Sequence, residues 1–167
     1  MLRISEHRGR QERAITVLRE EINTALRDAM KARNTQRVST LRLVNAAIKN
    51  ADIEAQLSGR PLLSDDAVLA LLQTMIKQRH ESIAIYDTAG RKELADRERA
   101  EIDVISAYLP EQMSEPEVKA AIAQAIDQVG AKGIRDMGKV MAALKLGHAG
   151  RMDFGKVSGL VKAMLAG

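Results

Sequence analysis

Apolar residues recur at three- and four-residue intervals along most of this chain, the spacing that gathers side chains on one face of an α-helix. The first helix is predicted over 12–33, with a break near Asn34. A second follows over 35–57 and is stopped by Ser58-Gly59-Arg60-Pro61. In it, Val38, Leu41, Val44, Ile48, Ala51 and Ala55 form the stripe expected to be buried. Arg42, Asn45 and Lys49 form a polar stripe beside it, a candidate partner surface. A third helix starts after Ser64, where Asp65 and Asp66 suit the positive end of the helix dipole, and ends at Ala89-Gly90. The fourth, over 92–108, is stopped by Leu109-Pro110, and the short turn before it makes an antiparallel hairpin with the third. Ser114-Glu115-Pro116-Glu117 has the make-up of a capping box and marks the expected domain joint. Beyond it come a helix over 115–129 and two short helices separated by glycines.

Composition supports an all-α reading. Aromatics make up only 2% of the 167 residues, whereas Ala, Leu, Ile, Met, Lys, Arg and Glu abound, which favours helices over strands. The absence of cysteine removes disulfides, thiolate metal sites and thiol nucleophiles together and accords with a reducing compartment. No apolar run approaches the roughly 20 residues that span a bilayer. The net charge of +4 is unevenly spread: residues 1–51 carry 11 basic and 5 acidic groups, and 52–109 carry 7 and 11. From residue 130 onward there are 7 basic and 2 acidic groups. Basic ends around an acidic middle suit a polyanionic partner, although solvated helix faces would look the same.

The most unusual feature is an internal repeat with a period of 17 residues. Gly133-Ile-Arg-Asp136-Met-Gly138-Lys139-Val140 aligns with Gly150-Arg-Met-Asp153-Phe-Gly155-Lys156-Val157, and Lys145 aligns with Lys162. Both copies satisfy most of the phosphate-loop pattern, yet each has Val where the magnesium-binding hydroxyl belongs and neither follows a strand. The better reading is two Asp-capped helix N-termini, side by side, each with approachable N–H groups and a lysine that together hold phosphates of an RNA backbone. The alternative is ordinary caps with glycines that permit close helix packing. Arg79 and Glu98 both fall on core-facing stripes, where an unpaired charge is costly, and are expected to face one another across the hairpin. His7, His80 and His148 lack ligand-like spacing, so no metal site is expected; neither is a cofactor, nor a general acid, base or nucleophile.

At Arg37-Val-Ser-Thr-Leu-Arg42-Leu-Val-Asn45-Ala-Ala-Ile-Lys49-Asn50, the chain resembles the YqeY-like proteins of the GatB/YqeY family. Further matches are Arg79-His-Glu-Ser-Ile-Ala-Ile-Tyr86, Ala89-Gly90-Arg91, Glu98 with Glu101, Tyr108-Leu109-Pro110, and Asp136-Met-Gly138-Lys139-Val140-Met141. The resemblance implies an N-terminal helical domain over 18–110. Over 111–167 it implies a small three-helix domain like the tail of the B subunit of the tRNA-dependent amidotransferase. That tail is thought to touch tRNA, while the amide-transfer chemistry, which uses glutamine as nitrogen donor, resides in domains without counterparts here. A carbon-nitrogen ligase label would therefore be inherited by similarity. Carried over residue by residue, Gly138, Lys139 and Lys156 become the foremost RNA-contact candidates, with Lys145, Arg151, Gly155 and Lys162 around them. One departure is Phe154, inserted between Asp153 and Gly155 in the family's Gly-Arg-x-Asp-Gly-Lys run.

Members of this family begin near Leu18, so residues 1–17 look like an N-terminal extension, with Val17 a candidate initiator. A mitochondrial targeting peptide is the rival reading of that stretch, weakened by Glu6, Glu12 and its shortness. The expectation is a cytoplasmic binding protein for tRNA or for subunits of the amidotransferase, without chemistry of its own. Two alternatives are an auxiliary component of amide transfer and a protein adaptor without RNA affinity.

Overall fold

A computed structural model describes the side chains of residues 17–167 and the helical backbone from Arg3. The expectations for residues 1–16, the N-terminal addition and His7, lie outside the described side chains. The protein is all-α. Among the described residues there are seven α-helices and no strand: α1 (Arg3–Lys31), α2 (Thr35–Leu57), α3 (Asp65–Thr88), α4 (Lys92–Ser106), α5 (Glu115–Val129), α6 (Met137–His148) and α7 (Phe154–Ala166). They form two compact units, one ending at Leu109 and the other Pro110–Gly167.

The helix ends are where local sequence decides the structure. After α2 and α3, Gly59 and Gly90 take left-handed backbone at φ 70° and 69°. Arg60 N–H then returns to the Ala55 carbonyl, and Arg91 N–H to that of Tyr86, each at 2.8 Å. These bonds satisfy carbonyls that the last helical turn leaves without partners. The end of α1 is built the same way without glycine: Arg33 is left-handed at φ 53°, and Asn34 N–H reaches the Ala29 carbonyl at 3.0 Å. The Asn34 side chain then caps α2 by accepting from Arg37 N–H at 3.0 Å.

In the first unit, Leu18, Ile22 and Ala29 of α1 pack with Leu41, Val44 and Ile48 of α2, Val68, Leu72 and Met75 of α3, and Ile105 of α4. Val38 and Ala51 of the expected α2 stripe are only half-buried. A polar lock sits beside this core. Arg19 of α1 forms a two-pronged pair with Asp52 of α2 at 2.6 and 2.8 Å. The same guanidinium donates to the Leu63 carbonyl at 3.1 Å, while Leu63 N–H donates to Asp52 at 2.9 Å. One ion pair thereby joins α1, α2 and the α2–α3 connection. The hydrogen bond from Arg19, then that from Leu63 N–H, hold the Asp52 carboxyl below its ordinary range against the opposing effect of burial.

Across the α3–α4 hairpin the partner of Arg79 differs from the expected Glu98. Its Nε donates to Glu101 Oε2 at 2.8 Å, and its Nη1 to the Met75 carbonyl at 3.0 Å. The two carboxylates lie three residues apart, nearly one helical turn, and the hairpin's vertical offset sets which one meets the guanidinium.

In the second unit α5 carries a complete capping box: Ser114 accepts from Glu117 N–H at 3.4 Å, and Glu117 accepts from Ser114 N–H at 2.7 Å. Ala121, Ile122 and Ala125 of α5, Val140 and Leu144 of α6, and Val157 and Val161 of α7 form its core with Met152.

Removing Glu101 as Glu101→Ala strands the partly buried Arg79 and lowers the stability of the first unit by about 1.5–3 kcal/mol. Glu98→Ala, at a half-buried carboxylate with no ion pair among the described residues, costs less, about 0.5–1 kcal/mol. Urea unfolding of the two variants measures the difference. Asp52→Asn is expected to destabilise at pH 7, also by about 1.5–3 kcal/mol. Because the folded-state pKa of Asp52 is depressed below 3.8, its contribution is present above that pH and is lost as pH falls through the folded value. The gap between wild type and variant in a urea series should therefore close in acid.

Candidate nucleic-acid interface

The two repeat copies become α6 and α7, but their N-termini are built differently. A short 3-10 turn, Ile134–Asp136, leads into α6. The Asp136 carboxylate does not cap α6; it turns back to accept from Lys132 N–H at 2.9 Å and closes the preceding loop. Lys139 is exposed, with Nζ 3.9 Å from Asp136 Oδ1, a loose pair. At α7 the cap is present: Asp153 Oδ1 accepts from Gly155 N–H at 3.0 Å and from Lys156 N–H at 3.4 Å. Phe154 is the first residue of α7 and packs, half-buried, against the core of the unit, so the inserted residue is absorbed as a helix-start anchor.

These details correct two expectations. Only one of the two ends has its Asp cap, and there the backbone donors are already engaged, which leaves them no vacancy for a phosphate. The alternative of glycines permitting close helix packing is not supported either. A Cβ at Gly138 would meet nothing within 4 Å, and at Gly155 it would meet only the Asp153 cap at 3.2 Å.

Nor do the two N-termini lie side by side. After the turn near Gly150, which has φ 74°, α7 runs back along α6. Lys132, Gly133, Ile134, Arg135 and Asp136, ahead of α6, therefore line one open cleft with Leu165 and Ala166 from the far end of α7. Antiparallel helices of this length place Lys139 and Lys156 about 12 Å apart along the axis.

What the unit does bring together is a charge arrangement. Lys132, Arg135, Lys139, Lys145, Lys156 and Lys162 are all exposed. The two acidic groups of the same stretch, Asp136 and Asp153, are turned to backbone N–H groups. Arg151 is half-buried, and its role is internal: its Nε donates to the Glu111 carbonyl at 3.1 Å, and its carbonyl accepts from Met113 N–H at 2.9 Å. With Gln112 donating to the Gly150 carbonyl at 2.7 Å, these hydrogen bonds fasten the entry segment of the unit to the α6–α7 turn.

In the first unit, Asn45 donates to Asn23 of α1 at 3.0 Å, so the middle of the expected polar stripe is used internally while Arg42 and Lys49 remain exposed. An open groove along α1 is lined by Glu20, Glu21 and Asp28 with Arg37, an acidic rim that repels phosphate. Among the described residues no group of His, Asp or Glu side chains converges as a metal site requires, and no helix is long and apolar enough to cross a membrane.

Known proteins bear on this arrangement. Similar to the chain is Altered inheritance of mitochondria protein 41, mitochondrial, of Pyrenophora tritici-repentis, 30% identical over 135 residues that span 77% of this chain and 72% of that one. The protein of the same name from Lachancea thermotolerans is 33% identical over 106 residues, 62% of this chain and 55% of that one. An uncharacterized protein of Schizosaccharomyces pombe is 34% identical over 101 residues, 60% of this chain and 79% of that one. The expectation of a cytoplasmic protein is overturned by these names, since the curated relatives that carry a location are mitochondrial. The Yqey-like protein family matches residues 19–165, nearly the whole of both units, and the chain belongs to that family.

Proposed function

We propose that the Pro110–Gly167 unit binds the phosphate backbone of tRNA through the lysines of its two repeat helices. The supporting observation is the charge balance of the stretch 130–167: six of its cations are exposed, while its two carboxylates, Asp136 and Asp153, each accept from a backbone N–H. The other acidic groups of the unit lie in its earlier part, at Glu111, Glu115, Glu117 and Asp127. Such a surface attracts a polyanion chiefly by releasing its condensed counterions, which needs charge but no deep pocket. Because the helix ends offer no free donors at Gly155, phosphate is met by the side chains of Lys139, Lys145, Lys156 and Lys162. Arg151 is left in its structural role. The resemblance to the amidotransferase tail makes tRNA the RNA of choice, and the mitochondrial names of the relatives make organellar tRNA the pool to test beside bulk tRNA.

Binding of the full chain to tRNA across a salt series tests this. Wild type should bind at low salt, with affinity falling steeply as salt rises. Lys139→Glu plus Lys156→Glu should weaken binding and flatten the log-log slope by about one unit for each phosphate that is no longer neutralised. Lys77→Glu, which changes an exposed charge on α3 of the first unit, should leave the slope unchanged. Absence of binding by wild type at low salt would overturn the proposal.

A further inference from the structure

Helix α2 has two apolar faces. Leu41, Val44, Ile48 and Ala55 are buried in the first unit. Nearly opposite them lie Leu43, Ala46, Asn50, Ile53 and Leu57, all exposed, with Leu43 at 47%, Ile53 at 45% and Leu57 at 85%. Their spacing alternates three and four residues over Leu43–Leu57, the C-terminal two thirds of the helix, which is the a/d seam of a coiled coil with Leu43, Asn50 and Leu57 at a, and Ala46 and Ile53 at d. The equivalent positions ahead of it, Gln36 and Ser39, are polar and exposed. The other exposed large apolar residues of this unit, among them Met30, Leu62 and Ile85, sit on different elements. Scattered apolar residues need no partner, but a continuous seam does.

We infer that this seam pairs with α2 of a second copy of the chain, parallel and in register. Two features favour that occupant. First, the seam is bordered by Arg42 and Lys49 on one edge and Glu54 on the other, all exposed. In a parallel pair a g residue faces the e residue five positions on in the partner helix, so Lys49 meets Glu54 twice, once on each side of the seam. In the antiparallel arrangement centred on Asn50, Lys49 instead faces its own copy. Second, the single polar residue of the seam is Asn50 at an a position. In register it meets its own copy and the two amides satisfy each other, while any slip places the amide against an apolar Leu, Ile or Ala. The seam and its charges thus specify one alignment.

The chain has no cysteine, so one introduced residue supplies the sole thiol. Sedimentation of the full chain should show a concentration-dependent dimer. Ala46→Cys and Leu57→Cys, each tested alone, should cross-link to a covalent dimer under mild oxidation, because parallel register sets each residue against its own copy. Lys49→Glu should raise the dimer dissociation constant about tenfold, since two attractive pairs become repulsive. Adding Glu54→Lys to it should restore dimerisation. Ile53→Glu should abolish the dimer while circular dichroism stays unchanged, because position 53 faces solvent in the monomer. A chain that stays monomeric at every concentration overturns the inference and leaves the seam to a helix of another protein. A dimer that resists Ile53→Glu, or in which neither thiol cross-links, overturns it as well.

Discussion

Arg19 is the residue on which the geometry of the first unit turns. Its guanidinium holds Asp52 of α2 and the carbonyl of Leu63 together, and Asp52 in turn accepts from Leu63 N–H. A carboxylate and a guanidinium half-withdrawn from water are costly unless their donors and acceptors are met. Here the shared hydrogen bonds meet them in one alignment of α1, α2 and the segment leading to α3. Asp65, the first residue of α3, is a counterweight: burial pushes its carboxyl above the ordinary range, while the Ser64 hydroxyl caps the helix by accepting from Ala67 N–H at 3.2 Å.

With α2 held by this lock on one side and by Leu41, Val44 and Ile48 on the core side, its remaining face is presented as a rigid surface. A flexible segment would lose conformational entropy on pairing; a helix already fixed in its fold has little left to lose. The apolar content that the first unit leaves outside its core is therefore available for association at small entropic cost.

How much of this was legible in the sequence follows from which forces are local. The boundaries of α2 and α5, and the hairpin turn at Gly90, could be read because caps and left-handed residues act within a few positions of the chain. The α1–α2 turn was marked by Asn34 but not by its left-handed residue, since Arg33 stands where glycine is usual. Pairings across the fold were not legible. Arg19 and Asp52 lie 33 residues apart, each at the margin of an apolar stripe, and nothing in their spacing joins them. Arg79 was rightly placed facing α4, yet the choice between Glu98 and Glu101 depends on an axial offset that periodicity does not specify. The second face of α2 was hidden for another reason. An apolar face left in solvent obeys the same periodicity as a buried one, so spacing alone does not separate the two.

The repeat illustrates how sequence identity and structural equivalence part. Its copies share Asp, Gly, Lys and Val at matching positions, yet Asp136 closes a loop and Asp153 caps a helix. The difference comes from what precedes each: a 3-10 turn delivers α6 already wound, whereas α7 starts abruptly after the Arg151 turn and needs a cap. The lysines do not depend on that distinction, because a long flexible side chain reaches solvent from either helix start. Antiparallel packing then spreads Lys139 and Lys156 along the unit instead of converging them. A surface of that form holds an extended polyanion at several points and discriminates little between bases, since a lysine on a phosphate carries position but no sequence. Selectivity for one RNA over another would therefore have to come from shape.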